Sequence, residues 1–92
     1  MSIHRRNAKR DKNEASIVRA LRSIPGCTVS ELSGEGVPDL LVGFQGKNHL
    51  LEVKNAKGKL TEAQIKWHEE WTGTAHVVRS VNDALNILDI QT

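Results

Sequence analysis

The strongest constraint on the fold is a hairpin written into residues 39–55. Leu40-Leu41-Val42-Gly43-Phe44 is followed by the polar tetrad Gln45-Gly46-Lys47-Asn48, and then by His49-Leu50-Leu51-Glu52-Val53-Lys54-Asn55. Apolar runs flanking a short Gly-containing turn read as two antiparallel strands, 39–44 and 49–55. The near-continuous apolar run of the first marks it as central and buried. A strand at 27–32 precedes it across the flexible loop Ser33-Gly34-Glu35-Gly36-Val37. Three strands joined by short connections favour a meander.

Helices flank these strands. Ile17, Leu21 and Ile24 recur at helical spacing, which predicts a helix over 13–23 that Pro25-Gly26 stops. Glu14 falls on the same apolar face, at the N-terminal end, where the helix dipole alone would favour a carboxylate. Thr61 and Gln64 form a capping box, with Leu60 and Ile65 as its hydrophobic staple. That helix is expected to end near Thr72, with Gly73 at the C′ position. Residues 74–79 read as a fourth strand. Ser80 caps a last helix whose stripe is Val81, Ala84, Leu85 and Leu88. The order α-β-β-β-α-β-α and a right-handed crossover make the fourth strand parallel to a neighbour. The expected fold is α/β, a small mixed sheet flanked by helices.

The chain has 92 residues, enough for one domain with a thin core that a second subunit would help. Its net charge of +2 is unevenly spread: residues 1–12 carry five cations (Arg5, Arg6, Lys9, Arg10, Lys12) against Asp11. This basic N-terminal arm, ahead of a body at 13–92, suits contact with a phosphate backbone. Aromatics are only 3%, which argues against a base-stacking surface. No apolar run suits a membrane span, and the polar first twelve residues do not read as a signal peptide. A single cysteine excludes a disulfide framework and a Cys-based zinc site and fits the cytoplasm.

The chemistry lies in Pro38-Asp39 and Glu52-Val53-Lys54. Glu52 and Lys54 are two apart in a strand and share a face. With residues 45–48 as the turn, Phe44 pairs with His49, Val42 with Leu51 and Leu40 with Val53. Asp39 then stands opposite Lys54 and diagonal to Glu52. Hard carboxylate oxygens suit Mg²⁺ or Mn²⁺. Glu14 could add a third carboxylate and Val53 its backbone carbonyl. Such an ion activates water and stabilises charge on a phosphate, and Lys54 could orient the water or meet that charge. Alone, Glu-x-Lys is more simply a cross-strand salt bridge worth roughly 0.2–1 kcal/mol. Pro-Asp across a tight hairpin and a helix carboxylate on the correct face move the balance. Lys57 and Lys59, in the loop leaving this strand, would contact phosphates, and Arg79 is a further phosphate-clamp candidate. Trp67 and Trp71 read as core or subunit-interface residues. His4, His49, His68 and His76 lack metal-ligand spacing.

At these residues the chain resembles the PD-(D/E)xK nuclease superfamily, and within it the small stand-alone VRR-NUC group of phages and bacteria. The resemblance runs from about Asn13 to Leu88, through Gly36-Val37-Pro38-Asp39, Glu52-Val53-Lys54, Leu60-Thr61-Glu62-Ala63-Gln64 and Val77-Val78-Arg79. It implies a restriction-endonuclease-like αβββαβ core followed by a C-terminal helix. It also implies metal-dependent phosphodiester hydrolysis, with Asp39, Glu52 and the Val53 carbonyl on the ion and Lys54 catalytic. The first-helix Glu maps to Glu14 and the second-helix Gln to Gln64, a further catalytic-site candidate. The eponymous Val-Arg-Arg is Val78-Arg79-Ser80 here, so the second Arg is missing. Stand-alone members of this kind resemble Holliday-junction resolvases, which implies a homodimer acting on branched DNA in a bacterial cell. No small-molecule cofactor is implied. The competing readings are a nuclease-fold DNA-binding module without turnover and a purely structural domain.

Overall fold

A computed structural model describes residues 11–90. The cations Arg5, Arg6, Lys9 and Arg10 of the arm, and His4, lie outside the described residues. Within these bounds the chain is a small α/β unit with a four-stranded mixed sheet and three helices. The elements are α1 (Glu14–Arg22), β1 (Cys27–Glu31), β2 (Leu40–Phe44), β3 (Lys47–Val53), α2 (Glu62–Glu70), β4 (His76–Val78) and α3 (Val81–Ile87). The sheet order is β1-β2-β3-β4. The first three strands form the expected antiparallel meander, and β4 lies parallel to β3 after the α2 crossover. No helix among the described residues is long and apolar enough to cross a membrane.

Strand alternation sorts the core. Leu40, Val42, Leu51, Val53 and Val78 are buried together with Ile17, Val18 and Leu21 of α1 and Ala84 and Leu88 of the α3 end. These residues tie α1 and α3 to one face of the sheet. Removing a fully buried side chain here, as in Leu51→Ala, falls in the class that costs about 2–5 kcal/mol. The other face is only partly covered. Leu41 is 36% exposed, so β2 is central in order yet buried on one face, contrary to the reading of its apolar run.

The hairpin register also differs from expectation. The turn is the two-residue Gln45-Gly46, both with positive φ (53° and 78°), as a type I′ turn requires. Its twist matches that of the strands, so β3 begins at Lys47 and pairs Phe44 with Lys47 and Leu40 with Leu51. A shift of two residues keeps every apolar side chain on its intended face. It changes what stands opposite Asp39: continuing the register by one step puts Glu52 there, and not Lys54.

The capping box is present in full. Thr61 Oγ1 accepts the Gln64 N–H at 3.2 Å and Gln64 Oε1 accepts the Thr61 N–H at 2.8 Å. The helix stops sooner than its Gly73 signal suggests. Trp71, the C-cap, leaves in an extended conformation (ψ 124°). A Cβ at Gly73 would stand 2.9 Å from Trp71 Nε1, so this glycine accommodates the indole and does not serve as a left-handed cap. No residue of α2 is buried. Trp67 and Trp71 stack with centroids 4.7 Å apart, and Trp71 stays 46% exposed. A place in the core is therefore wrong for these two residues.

Candidate active site

The site forms where β2 begins and β3 ends. Asp39 Oδ2 accepts the Val53 N–H at 2.8 Å, which fixes its carboxyl against the neighbouring strand. Glu52, one residue back, is 1% exposed. Burial, a hydrogen bond to the Asp39 carboxylate and the charge of that carboxylate push Glu52 up to about 9. The Lys54 ammonium works in the opposite direction and Asp11 adds a smaller upward push. Without a cation, Glu52 therefore keeps its proton near neutral pH, against the Asp39 carboxyl.

Gln64 reaches this pair from α2. Its Nε2 donates to Glu52 Oε2 at 3.0 Å while its Oε1 closes the capping box. One side chain thus both starts the helix and orients the carboxyl. Gly36 makes the approach of α2 possible. Its φ is 77°, and a Cβ there would collide with the Ala63 carbonyl oxygen. Among the described residues, no donor is directed at the buried Glu52 Oε1.

Pro38 frees another oxygen. The Leu32 N–H bonds the Asp39 carbonyl, so Asp39 faces β1 with its backbone groups and Pro38 faces β3. The continued register sets Pro38 opposite Val53. Proline has no N–H to give, so the Val53 carbonyl receives no ladder bond from that position. Pro38 itself is fully buried and holds the strand entry rigid.

A divalent cation fits these donors. Two carboxyls, one of them with an oxygen that lacks a donor, and a backbone carbonyl freed by proline are hard ligands of the kind Mg²⁺ and Mn²⁺ prefer. Replacing the Glu52 proton by a cation would offset the Asp39 charge that helps raise Glu52. Among the described residues, no three His, Cys, Asp or Glu side chains group with metal-ligand spacing. The donor set is thus the carboxyl pair plus backbone oxygen. Glu14 is 5% exposed, on the inner face of α1 as its spacing indicated. It lines a groove with Asp11, Val18, Arg22 and Glu31 that includes neither Asp39 nor Glu52.

Lys54 is buried to 9% exposure, and its backbone is held on both sides. Its N–H donates to the Val78 carbonyl at 3.0 Å, and its carbonyl accepts Asn13 Nδ2 at 3.1 Å. The same Nδ2 donates to the Arg79 carbonyl at 3.1 Å. Asn13 therefore spends its amide on joining two strand ends to the start of α1, and makes no side-chain cap. Asp11 Oδ2 adds a bond from the Asn55 N–H at 2.7 Å. Neither role has a local sequence signal, because the partners lie 41 to 66 residues away. Lys57 and Lys59 are exposed beside the site. Arg79 is also exposed, but its Nη1 donates to the Asn55 and Gly58 carbonyls at 2.7 Å each, and to Ala56 at 3.4 Å. It turns inward on the lysine loop, and among the described residues no acidic side chain holds it in a rim salt bridge.

Of the histidines, His68 is held below its usual range by burial, and His49 by burial, His76 and Lys47. Neither joins the carboxyl pair. Comparison of the chain with protein-family models, curated proteins and solved structures gives no match. A functional reading therefore rests on the residues and their arrangement.

Proposed function

We propose that the protein is a divalent-metal-dependent DNA endonuclease of the PD-(D/E)xK type, similar to the small VRR-NUC nucleases. The carrying observation is the buried Glu52 carboxyl against the half-buried Asp39 and beside Lys54, with Glu52 Oε1 left without a donor. A carboxyl buried against a second carboxyl is costly to keep, and a bound cation gives it a purpose. Asp39, Glu52 and the Val53 carbonyl would hold Mg²⁺ or Mn²⁺, with Glu14 the further candidate at the start of α1. When bound, the ion lowers the pKa of a water and offsets charge on the phosphate. Lys54 supplies an ammonium to that phosphate or to the attacking water. Gln64 orients Glu52. Lys57 and Lys59 neutralise flanking phosphates, and the basic arm adds affinity.

The protein acts in this reading as a homodimer on branched DNA. Ile65, 44% exposed on α2, an element with no buried residue, is the apolar position that a second copy would cover. Two-fold symmetry then presents two sites to two strands. The test is incubation of the purified protein with end-labelled four-way junction, flap, single-stranded and duplex DNA, with Mg²⁺ or Mn²⁺. Cleavage of the junction in preference to the duplex is expected, and Lys54→Ala should not cut. Cutting by Lys54→Ala at the wild-type rate would exclude this site, and cutting of no substrate would favour a binding module without turnover.

A further inference from the structure

We propose that residues 54–59 form a phosphate-binding loop, and that Arg79 is its positioning residue and not a phosphate contact. This inference rests on the DNA reading of the site. The loop begins at the buried Lys54 and carries Lys57 and Lys59 outward, with no acid between them. Its turn is closed by the Gly58 N–H on the Asn55 carbonyl at 3.0 Å. The carbonyls of Asn55, Ala56 and Gly58 converge on one atom, Arg79 Nη1. Three carbonyl dipoles aimed at one point repel each other unless a cation sits there. Arg79 is that cation, built into the chain.

The consequence is directional. Carbonyl oxygens are drawn inward, away from an approaching phosphate, and the lysine side chains are left outside. The turn also lies over the Lys54 stem: a Cβ at Gly58 would stand 3.6 Å from Lys54 Cδ. Arg79 is itself fixed from behind, since its N–H donates to Asp83 Oδ2 at 2.8 Å and its carbonyl accepts from Asn13. A guanidinium already shared among three carbonyls contributes to phosphate binding through the loop it shapes. One charge thus places two others.

A double-mutant cycle separates the two roles. The readout is the anisotropy of a fluorescein-labelled four-way DNA junction in EDTA, where binding is measured without turnover. Lys57→Ala/Lys59→Ala and Arg79→Ala should each weaken binding about tenfold or more. In the Lys57→Ala/Lys59→Ala background, adding Arg79→Ala should change the Kd by less than about twofold. Amide exchange of Gly58 in the free protein should also accelerate in Arg79→Ala. If Arg79→Ala does not fold at the assay temperature, Arg79→Gln completes the cycle. An equal loss from Arg79→Ala in both backgrounds would overturn the inference by showing a direct phosphate contact. Junction binding with a non-additive cycle but no cleavage in Mn²⁺ would uphold the loop and defeat the nuclease reading. Absence of junction binding by the wild type would overturn both.

Discussion

Asp39→Asn is expected to reduce DNA cleavage by about 10²–10³-fold while leaving junction binding within about threefold of wild type. The size follows from losing a metal-facing charge worth several kcal/mol in the transition state, at about 1.4 kcal/mol per tenfold. The fold should survive the change. Asp39 Oδ2 accepts the Val53 N–H at 2.8 Å, and the amide oxygen of Asn can accept the same bond. Glu52 should then ionise more easily, because the Asp39 hydrogen bond and charge are two of the three largest causes that raise it. Cleavage kinetics at saturating protein, read beside anisotropy in EDTA, measure the two effects separately. Wild-type cleavage in this variant would remove Asp39 from the chemistry.

Glu52→Gln should stabilise the metal-free protein at alkaline pH. Glu52 is pushed up to about 9 in the folded chain, from an ordinary value of 4.5. The folded state therefore keeps a proton that the unfolded state gives up. Its contribution to stability is fully present below pH 4.5 and is lost as pH rises toward 9. The depressed His49 and His68 have the opposite sign: their contribution is present above 6.5 and fades as pH falls below it. In EDTA, the melting temperature of the wild type should thus fall between pH 6.5 and 9. A change of 1 kcal/mol moves a domain of this size by roughly 4–8 °C, so a fall of that order is readily seen. Glutamine cannot ionise, so its melting curve should lack this alkaline decline. Parallel pH profiles for wild type and variant would show that Glu52 is not the group responsible.

Much of this fold was legible in the sequence because its signals are local. The α1 span, the Thr61–Gln64 capping box, the meander and the parallel fourth strand all follow from periodicity, caps and connection length. The buried Glu14 and the assembly of Asp39 and Glu52 at one end of the sheet follow from face parity. The register did not. A two-residue and a four-residue turn leave the same apolar side chains facing the core, so the hydrophobic pattern cannot choose between them. Only Gln45 in a positive-φ conformation, which its residue type does not advertise, selects the shorter turn. That choice exchanges a carboxylate–ammonium pair for a carboxyl–carboxyl pair opposite Asp39, and so changes the electrostatics of the site.

Other features depend on distant partners. Asn13 has the sequence context of an ordinary N-cap, yet its amide bridges Lys54 and Arg79. Gln64 is explained by its capping box alone, and its second bond to Glu52 depends on how closely α2 approaches at Gly36. Arg79 ends a strand, where a phosphate contact or a salt bridge are equally good readings, and the carbonyls it gathers come from 21 to 24 residues earlier.

The central claim is that Asp39 and Glu52 are a divalent-cation site. Mn²⁺ electron paramagnetic resonance at pH 7.5 tests it without reference to any substrate. Titrating the wild-type protein into Mn²⁺ should diminish the six-line signal of the free ion with saturable stoichiometry. Glu52→Gln and Asp39→Asn should each leave most of that signal intact, while Lys57→Ala should bind as the wild type does. A free-ion signal undiminished by excess wild-type protein, or diminished equally by all four proteins, would contradict the claim.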